Sequence, residues 1–561
     1  MPDCQDIIYS NDYADYLLDY SGPIGRALFE ETICQERINS QYAVVHTERM
    51  GEEITFQDLI RFQNLPRLFG LLDTTHLEVS GVSRIRRLPN LDLYGQGVIL
   101  GILDTGIDYR HQAFIKGDGT SRIGVIWDQS IPSDHPPQDF QYGSVFTEED
   151  INEALKSEDP LSIVPSMDEN GHGTLLAGIA GGNMIEEEDF SGVAPLCELA
   201  IVKMKQAKEY LKEFWLVPEG TVAFQETDLF LGIRFLTEYA LRRNKPFVIL
   251  LGCGTNAGNH GNTGYLTSYL NNMSVFAGRV IVLPAGNEGS LGHHYKGTGA
   301  ANEEYQDIEI HVGEGETGFL AEFWSEAPDT YAMGFISPQG EYIEKIPLSV
   351  GIRGTEVRLT YEQTKITLFY GLVEATTGGM LIWIRMEAPS AGTWRLRIFK
   401  ESILLGRYDI WLPMEHFISP NTYFLKPDPD TTICEPGNAA FPATVTAYNH
   451  KNGNLFYQAS RGFTRLNEIK PDFAAPGVNI YGPARNGLYR TGTGTSVSAA
   501  VAAGCAAMLL EYNRRYSGLQ IKNLLIKGTD KKENLTYPNK EWGYGELNVY
   551  KSLGSIRGNP I

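Results

Sequence analysis

The sequence predicts an α/β protein built on a parallel sheet, with a small α+β unit ahead of it and an antiparallel β-sandwich inserted into it. Three observations support this. Short apolar runs, each ending in a turn, recur at Gly97–Asp104 (GVILGILD), Val193–Met204, Pro246–Gly254 and Arg279–Asn287; such runs suit strands buried on both faces. Between them lie stretches such as ETDLFLGIRFLTEYALRR, whose apolar residues recur at helical spacing, and strands alternating with helices imply a parallel sheet. From residue 301 to 425 the texture changes to a period of two. Ile308, Ile310 and Val312 alternate with polar residues, as do Val357, Leu359 and Tyr361, and Trp394, Leu396 and Ile398, the pattern of a two-sheet sandwich.

In chain order, residues 1–75 form the leading unit, with a strand at Tyr42–Glu48 and a helix at Ile54–Pro66. The α/β part follows over 76–300, the sandwich occupies 301–425, and the α/β part resumes over 426–561. The Pro-rich acidic stretch after Asp128 is a loop lying beside the cleft or over the surface. EEEDF at Glu186–Phe190 is a solvated loop, and no carboxylates stand at EF-hand spacing, so no metal or cofactor is expected.

A length of 561 residues exceeds one ordinary core. The net charge of −22 disfavours nucleic acid or anionic membrane as partner. Its acidic first twenty residues lack the basic and apolar regions of a secretory signal, and no run of 18 apolar residues is present to span a membrane. Six scattered cysteines fit free thiols in a reducing compartment. Cytoplasmic synthesis is the expectation.

Chemistry concentrates in three segments. Asp104 ends GVILGILD and is followed by Thr-Gly; His172 lies in NGHGTLLAGIAGG; Ser496 lies in TGTGTSVSAAVAAG. A serine hydroxyl is a weak nucleophile until a base takes its proton. His172 is the candidate base, and Asp104 the carboxylate that would orient it. The Ala-rich run after Ser496 places it at a helix N-terminus, which favours developing negative charge; a capping serine is the plain alternative. Asp108 reads as a turn or capping residue. Asn287, in PAGNEG, is a candidate oxyanion donor, although Asn-Glu-Gly is also an ordinary turn. Leu251, Gly252, Cys253 and Gly254 are candidates for pairing with extended substrate.

These segments, in the order Asp, His, Ser, resemble the subtilisin family of serine peptidases. The resemblance covers residues 97–300 and 426–550, with GVAPLCELAIVKM, PGNAAFPATVTAYN and KPDFAAPGVNIYG as further matching segments. It implies a subtilisin-like catalytic domain, with Asp104, His172 and Ser496 as triad and Asn287 in the oxyanion hole. It also implies that residues 1–75 are a propeptide cut near residues 70–76, a plain N-terminal extension being the alternative. Asn287 and Ser496 stand 209 positions apart, against about 66 in the template, which places the sandwich, of jelly-roll type, between them. Asp104 and His172 stand 68 apart, against about 32. Where the family usually carries a proline after the nucleophile, this chain has Ala500.

The inserted sandwich, the short propeptide and GTSVSAAVAAG resemble the Csp proteases of clostridial spores. That resemblance implies a spore-associated enzyme that cleaves its own propeptide, which can stay bound, and activates the zymogen of a cortex-lytic hydrolase during germination. The alternative is a regulatory pseudoprotease whose cleft is blocked. A housekeeping intracellular subtilisin is a third option.

Overall fold

The computed structural model describes residues 3–557 apart from 23–24, 28, 30–31, 33, 50–65, 72–79, 87–91, 134–135, 299–302 and 349–353. The helix expected at 54–66 therefore lies, but for its last residue, outside the described residues, as does most of the expected junction.

Among the described residues, nine strands form the central sheet. Its parallel core runs Ala443–Asn449, Arg279–Pro284, Phe247–Leu251, Ile99–Asp104, Glu198–Lys203 and Ile123–Asp128. These strands are almost wholly buried, because helices cover both faces. On one face lie the helices His172–Gly181 and Thr495–Tyr512; on the other lie Glu226–Arg242 and Tyr265–Ser274. The Thr495–Tyr512 helix is long and apolar enough to cross a membrane by length and composition. It is instead the core helix, apolar all round because it is enclosed all round. Its small residues set how closely it packs: a Cβ on Gly504 would sit 2.4 Å from Val193 Cβ.

The stretch after Asp128 adds an edge strand, Ser144–Thr147, antiparallel to Ile123–Asp128. The capped helix Glu148–Lys156 follows. The buried Tyr142 on this stretch donates to Asp228 at 2.9 Å, and Gly143 donates to the Tyr9 hydroxyl at 3.1 Å. The loop thus meets the leading unit.

That unit is a three-stranded antiparallel sheet in the order Tyr13–Asp19, Tyr42–Glu48, Cys34–Arg37. Both of its faces are covered. Leu17, Tyr42 and Val44 pack toward Phe230 and Ile233, while Ala14, Tyr16 and Val45 pack toward Tyr210, Phe214, Trp215 and Leu320. Cys4 and Cys34 form a disulfide, with the other four cysteines buried and free. This corrects the expectation of six free thiols. The pair is 30 residues apart in sequence and meets because the helix Cys4–Tyr9 packs on Cys34–Arg37, a contact that local spacing does not announce.

Polar groups lock the unit in place. Asp15 lies 2.7 Å from both His46 Nδ1 and Lys208 Nζ, and accepts from Gln225 Nε2 at 2.6 Å. Burial alone would raise the Asp15 pKa, but Lys208 and His46 hold it well below the carboxylate range. Glu36 behaves oppositely. Burial pushes it up to about 8, against the hydrogen bond from the Gln141 N–H and the charge of Arg234. Between the ordinary 4.5 and 8, the folded chain holds a proton on Glu36 that the unfolded chain has lost. Stability therefore falls across that window as pH rises, by about 1.4 kcal/mol per unit from this group. Glu36→Gln keeps an acceptor for Gln141 without the charge. It is expected to raise the Tm at pH 8 and leave it nearly unchanged near pH 4.5, as melts at the two pH values will show.

Between residues 294 and 424, two antiparallel sheets face each other. One runs His294–Thr298, Arg407–Trp411, Gly318–Ser325, Leu381–Glu387, Lys365–Gly371, Thr355–Arg358; the other runs Tyr342–Ile346, Thr330–Ile336, Gly392–Ser402, Tyr305–Val312, Tyr423–Phe424. Ile308, Ile310, Trp394, Leu396 and Ile398 point into the core between them. Two details differ from expectation. The first strand starts at His294, before 301, because His294–Thr298 pairs with Arg407–Trp411. The strand read through Tyr361 stops at Arg358, and Tyr361 is exposed.

Candidate active site

Asp104 closes the Ile99–Asp104 strand, at the carboxyl edge where open α/β sheets bind ligands. Its Oδ1 accepts from the Thr105 N–H at 2.8 Å. His172 is the first residue of its helix, entered through Gly171 in the left-handed conformation (φ 86°). A Cβ on Gly173 would lie 2.2 Å from the Gly106 carbonyl oxygen, so glycine is what lets this helix start come so close to the Asp104 turn. The result is direct contact: His172 Nδ1 lies 2.8 and 2.9 Å from the two Asp104 carboxylate oxygens. On the other side of the ring, Nε2 lies 3.2 Å from Ser496 Oγ. Ser496 is the second residue of the Thr495–Tyr512 helix, at the helix N-terminus, whose dipole favours developing negative charge. All three side chains are buried.

Asn287 is held by the residue before the serine. Its Oδ1 accepts from the Thr495 N–H at 3.2 Å and from Thr495 Oγ1 at 3.1 Å, and Thr495 Oγ1 accepts in turn from the Gly286 N–H at 3.0 Å. With the oxygen so engaged, the amide nitrogen is the end turned away from Thr495. Sequence reading did not find Thr495's part, since a threonine in GTGTS carries no signal of what its hydroxyl meets.

Of the four substrate-pairing candidates, Cys253 and Gly254 form a short strand. Leu251 lies in the parallel sheet, opposite Leu103, with its side chain in the core. Gly252 backs onto Asp104: a Cβ there would fall 1.9 Å from Asp104 Oδ2. Among the described residues, the pairing involves Cys253 and Gly254. The second edge of the cleft, Phe224–Gln225, was missed, because a two-residue strand has no periodicity to read. Between the two edges lies the chain's own segment Leu68–Leu71, antiparallel to both. Leu71 faces Cys253, Gly70 faces Gly254, Phe69 faces Phe224 and Leu68 faces Gln225. Asp108 is structural, accepting from the Asn486 N–H and from Arg110. Ala500 is buried within the core helix.

The Subtilase family model matches residues 95–315 and 421–545, the two parts that build the sheet and this site. The chain belongs to the subtilase family of serine proteases. This subtilase is Csp-like. It is 31% identical to the CspB protease of Clostridium perfringens, with a TM-score of 0.76 over 86% of this chain and 97% of that one. Two curated proteins of Bacillus subtilis also match. Serine protease AprX is 34% identical over 146 residues, 22% of this chain and 33% of its own length. Bacillopeptidase F is 27% identical over 146 residues, 25% of this chain and 10% of its own length. The matched stretches thus span a third or less of these two relatives.

Proposed function

We propose that this subtilase is an endopeptidase that cleaves its own N-terminal segment and activates a protein zymogen by limited proteolysis. The reading rests on one observation: His172 bridges Asp104 and Ser496 beside a cleft that holds an extended peptide. In the mechanism, Ser496 Oγ attacks the carbonyl carbon as His172 Nε2 takes its proton, and Asp104 steadies the imidazolium. The oxyanion develops toward the Ser496 N–H and the Asn287 amide. His172 then protonates the leaving amine, and water repeats the sequence on the acyl-enzyme.

Residues 1–75 act as propeptide, and Leu68–Leu71 lies as product or substrate in the cleft. The sandwich is a jelly-roll module. The likeness to CspB supports a spore-associated enzyme made in the cytoplasm, acting on a cortex-lytic hydrolase precursor. No metal or cofactor enters the mechanism. The occupied cleft favours a second reading, a regulator silenced by its own segment. Intact mass of the purified chain separates the two. Self-cleavage yields, under denaturing conditions, a fragment of the length set by a cut near residues 70–76. Incubation with spore zymogens, followed by mapping of the cut, tests the substrate.

Asn287→Leu removes one oxyanion donor at similar size. It is expected to lower kcat about 100- to 1000-fold with KM little changed, measured by steady-state hydrolysis of a peptide carrying the self-cleavage sequence.

A further inference from the structure

The bound segment begins one residue before Leu68. The Glu226 N–H donates to the Arg67 carbonyl at 2.8 Å, so Arg67 continues the backbone pairing of the cleft. Its guanidinium is gripped from both edges. Nη2 lies 2.5 Å from Glu226 Oε1, Nη1 donates to Glu435 Oε2, and Nη1 also donates to the Ala257 carbonyl at 3.3 Å. Glu226 immediately follows the Phe224–Gln225 edge and opens the next helix. Glu435 pairs through its backbone with Thr255, just beyond the Cys253–Gly254 edge. One carboxylate therefore comes from each wall of the cleft, and their side chains are 1% and 0% exposed.

Two buried carboxylates without a cation between them are costly. A planar guanidinium can serve both through different nitrogens, which a single ammonium does less well. The surroundings reinforce the preference. Gly258 (φ +118°) leaves the space the cation fills, since a Cβ there would lie 2.6 Å from Arg67 Nη1. The sandwich supplies the far wall. Its buried Glu322 accepts from the Gly258 N–H and from the indoles of Trp324 and Trp383. With Trp215 and Glu374 these line a cavity of about 70 Å³ beside Arg67.

We infer that Glu226 and Glu435 form an anionic subsite at the upstream end of the cleft, one that selects a protein substrate carrying arginine immediately before its cleft-bound strand. This rests on the reading of the cleft as the substrate site. It gives the sandwich a part in recognition, as the wall behind the subsite. It also explains why the chain's own segment carries Arg67 at that point.

Three peptides with the sequence of residues 66–80, bearing Arg, Lys or Gln at the position of Arg67, test it in two ways. With self-processed wild-type chain, kcat/KM is expected to favour Arg over Gln by at least about thirty-fold, with Lys between. In Glu226→Gln the preference is expected to fall below about threefold; if that variant does not fold, Glu435→Gln replaces it. The same peptides, fluorescently labelled and added to full-length Ser496→Ala that also carries Arg67→Gln, so that the chain's own guanidinium no longer fills the subsite, report binding without chemistry, with Arg at least about tenfold tighter than Gln. Arg-selective binding with no cleavage upholds the subsite and sinks the protease reading. Equal binding of Arg and Gln peptides overturns the subsite even if both are cut. Failure of all three to bind overturns it too, because Glu226 and Glu435 would then only fasten the chain's own segment.

Discussion

Replacing Ser496 with alanine is expected to leave the chain uncut and to lower peptide hydrolysis on the order of 10⁶-fold, the loss known for removal of the serine from subtilisin itself. The hydroxyl 3.2 Å from His172 Nε2 is the group positioned to attack. Without it His172 has no proton to take, and residual rate comes from the oxyanion donors acting on water. Misfolding does not explain such a loss. Position 496 is buried in a helix of small residues, and alanine has the highest helix propensity. The wild type and variant should therefore melt at similar temperatures while differing in mass, only the wild type yielding an N-terminal fragment. A wild-type chain that stays intact and inert would instead establish the silenced regulator.

Asp104→Asn is expected to lower kcat by roughly 10⁴-fold near neutral pH, with KM little affected. Both carboxylate oxygens of Asp104 face His172 Nδ1, and Oδ1 already accepts from Thr105. A carboxamide in that place would turn an N–H toward Nδ1 and force the proton onto Nε2. The ring could then no longer accept from Ser496. The geometry survives while the tautomer is wrong, so the loss should appear in kcat across pH 6–9. A tenfold effect or less would mean that Asp104 only positions the ring.

Much of this site is legible in sequence because its parts are local. An apolar run ending in Asp-Thr-Gly puts Asp104 at a strand end, and small residues around His172 and Ser496 put both at helix starts. Each of these is decided within about ten residues of chain. The alternation at Ile308–Val312 and Trp394–Ile398 is local in the same sense, since a strand with one buried face repeats every second residue.

What local pattern does not contain is partnership. In the leading unit Tyr42–Glu48 reads as a strand, but the covering of both sheet faces depends on Trp215 and Leu320, far along the chain. Cys4 and Cys34, the two-residue edge at Phe224–Gln225, and the grip of Thr495 on Asn287 all arise from segments distant in sequence. Glu226 and Glu435 look like ordinary surface acids; they become a buried pair because the fold brings opposite walls of the cleft together around Arg67. By itself, then, the sequence determined the parallel sheet, the placing of Asp104 at a strand end and of His172 and Ser496 at helix starts, and the alternating strands, since backbone preference and burial periodicity act over short range. The tertiary structure decided what lies in the cleft and which charges meet it, because desolvated contacts between remote residues exist only once the whole chain has packed.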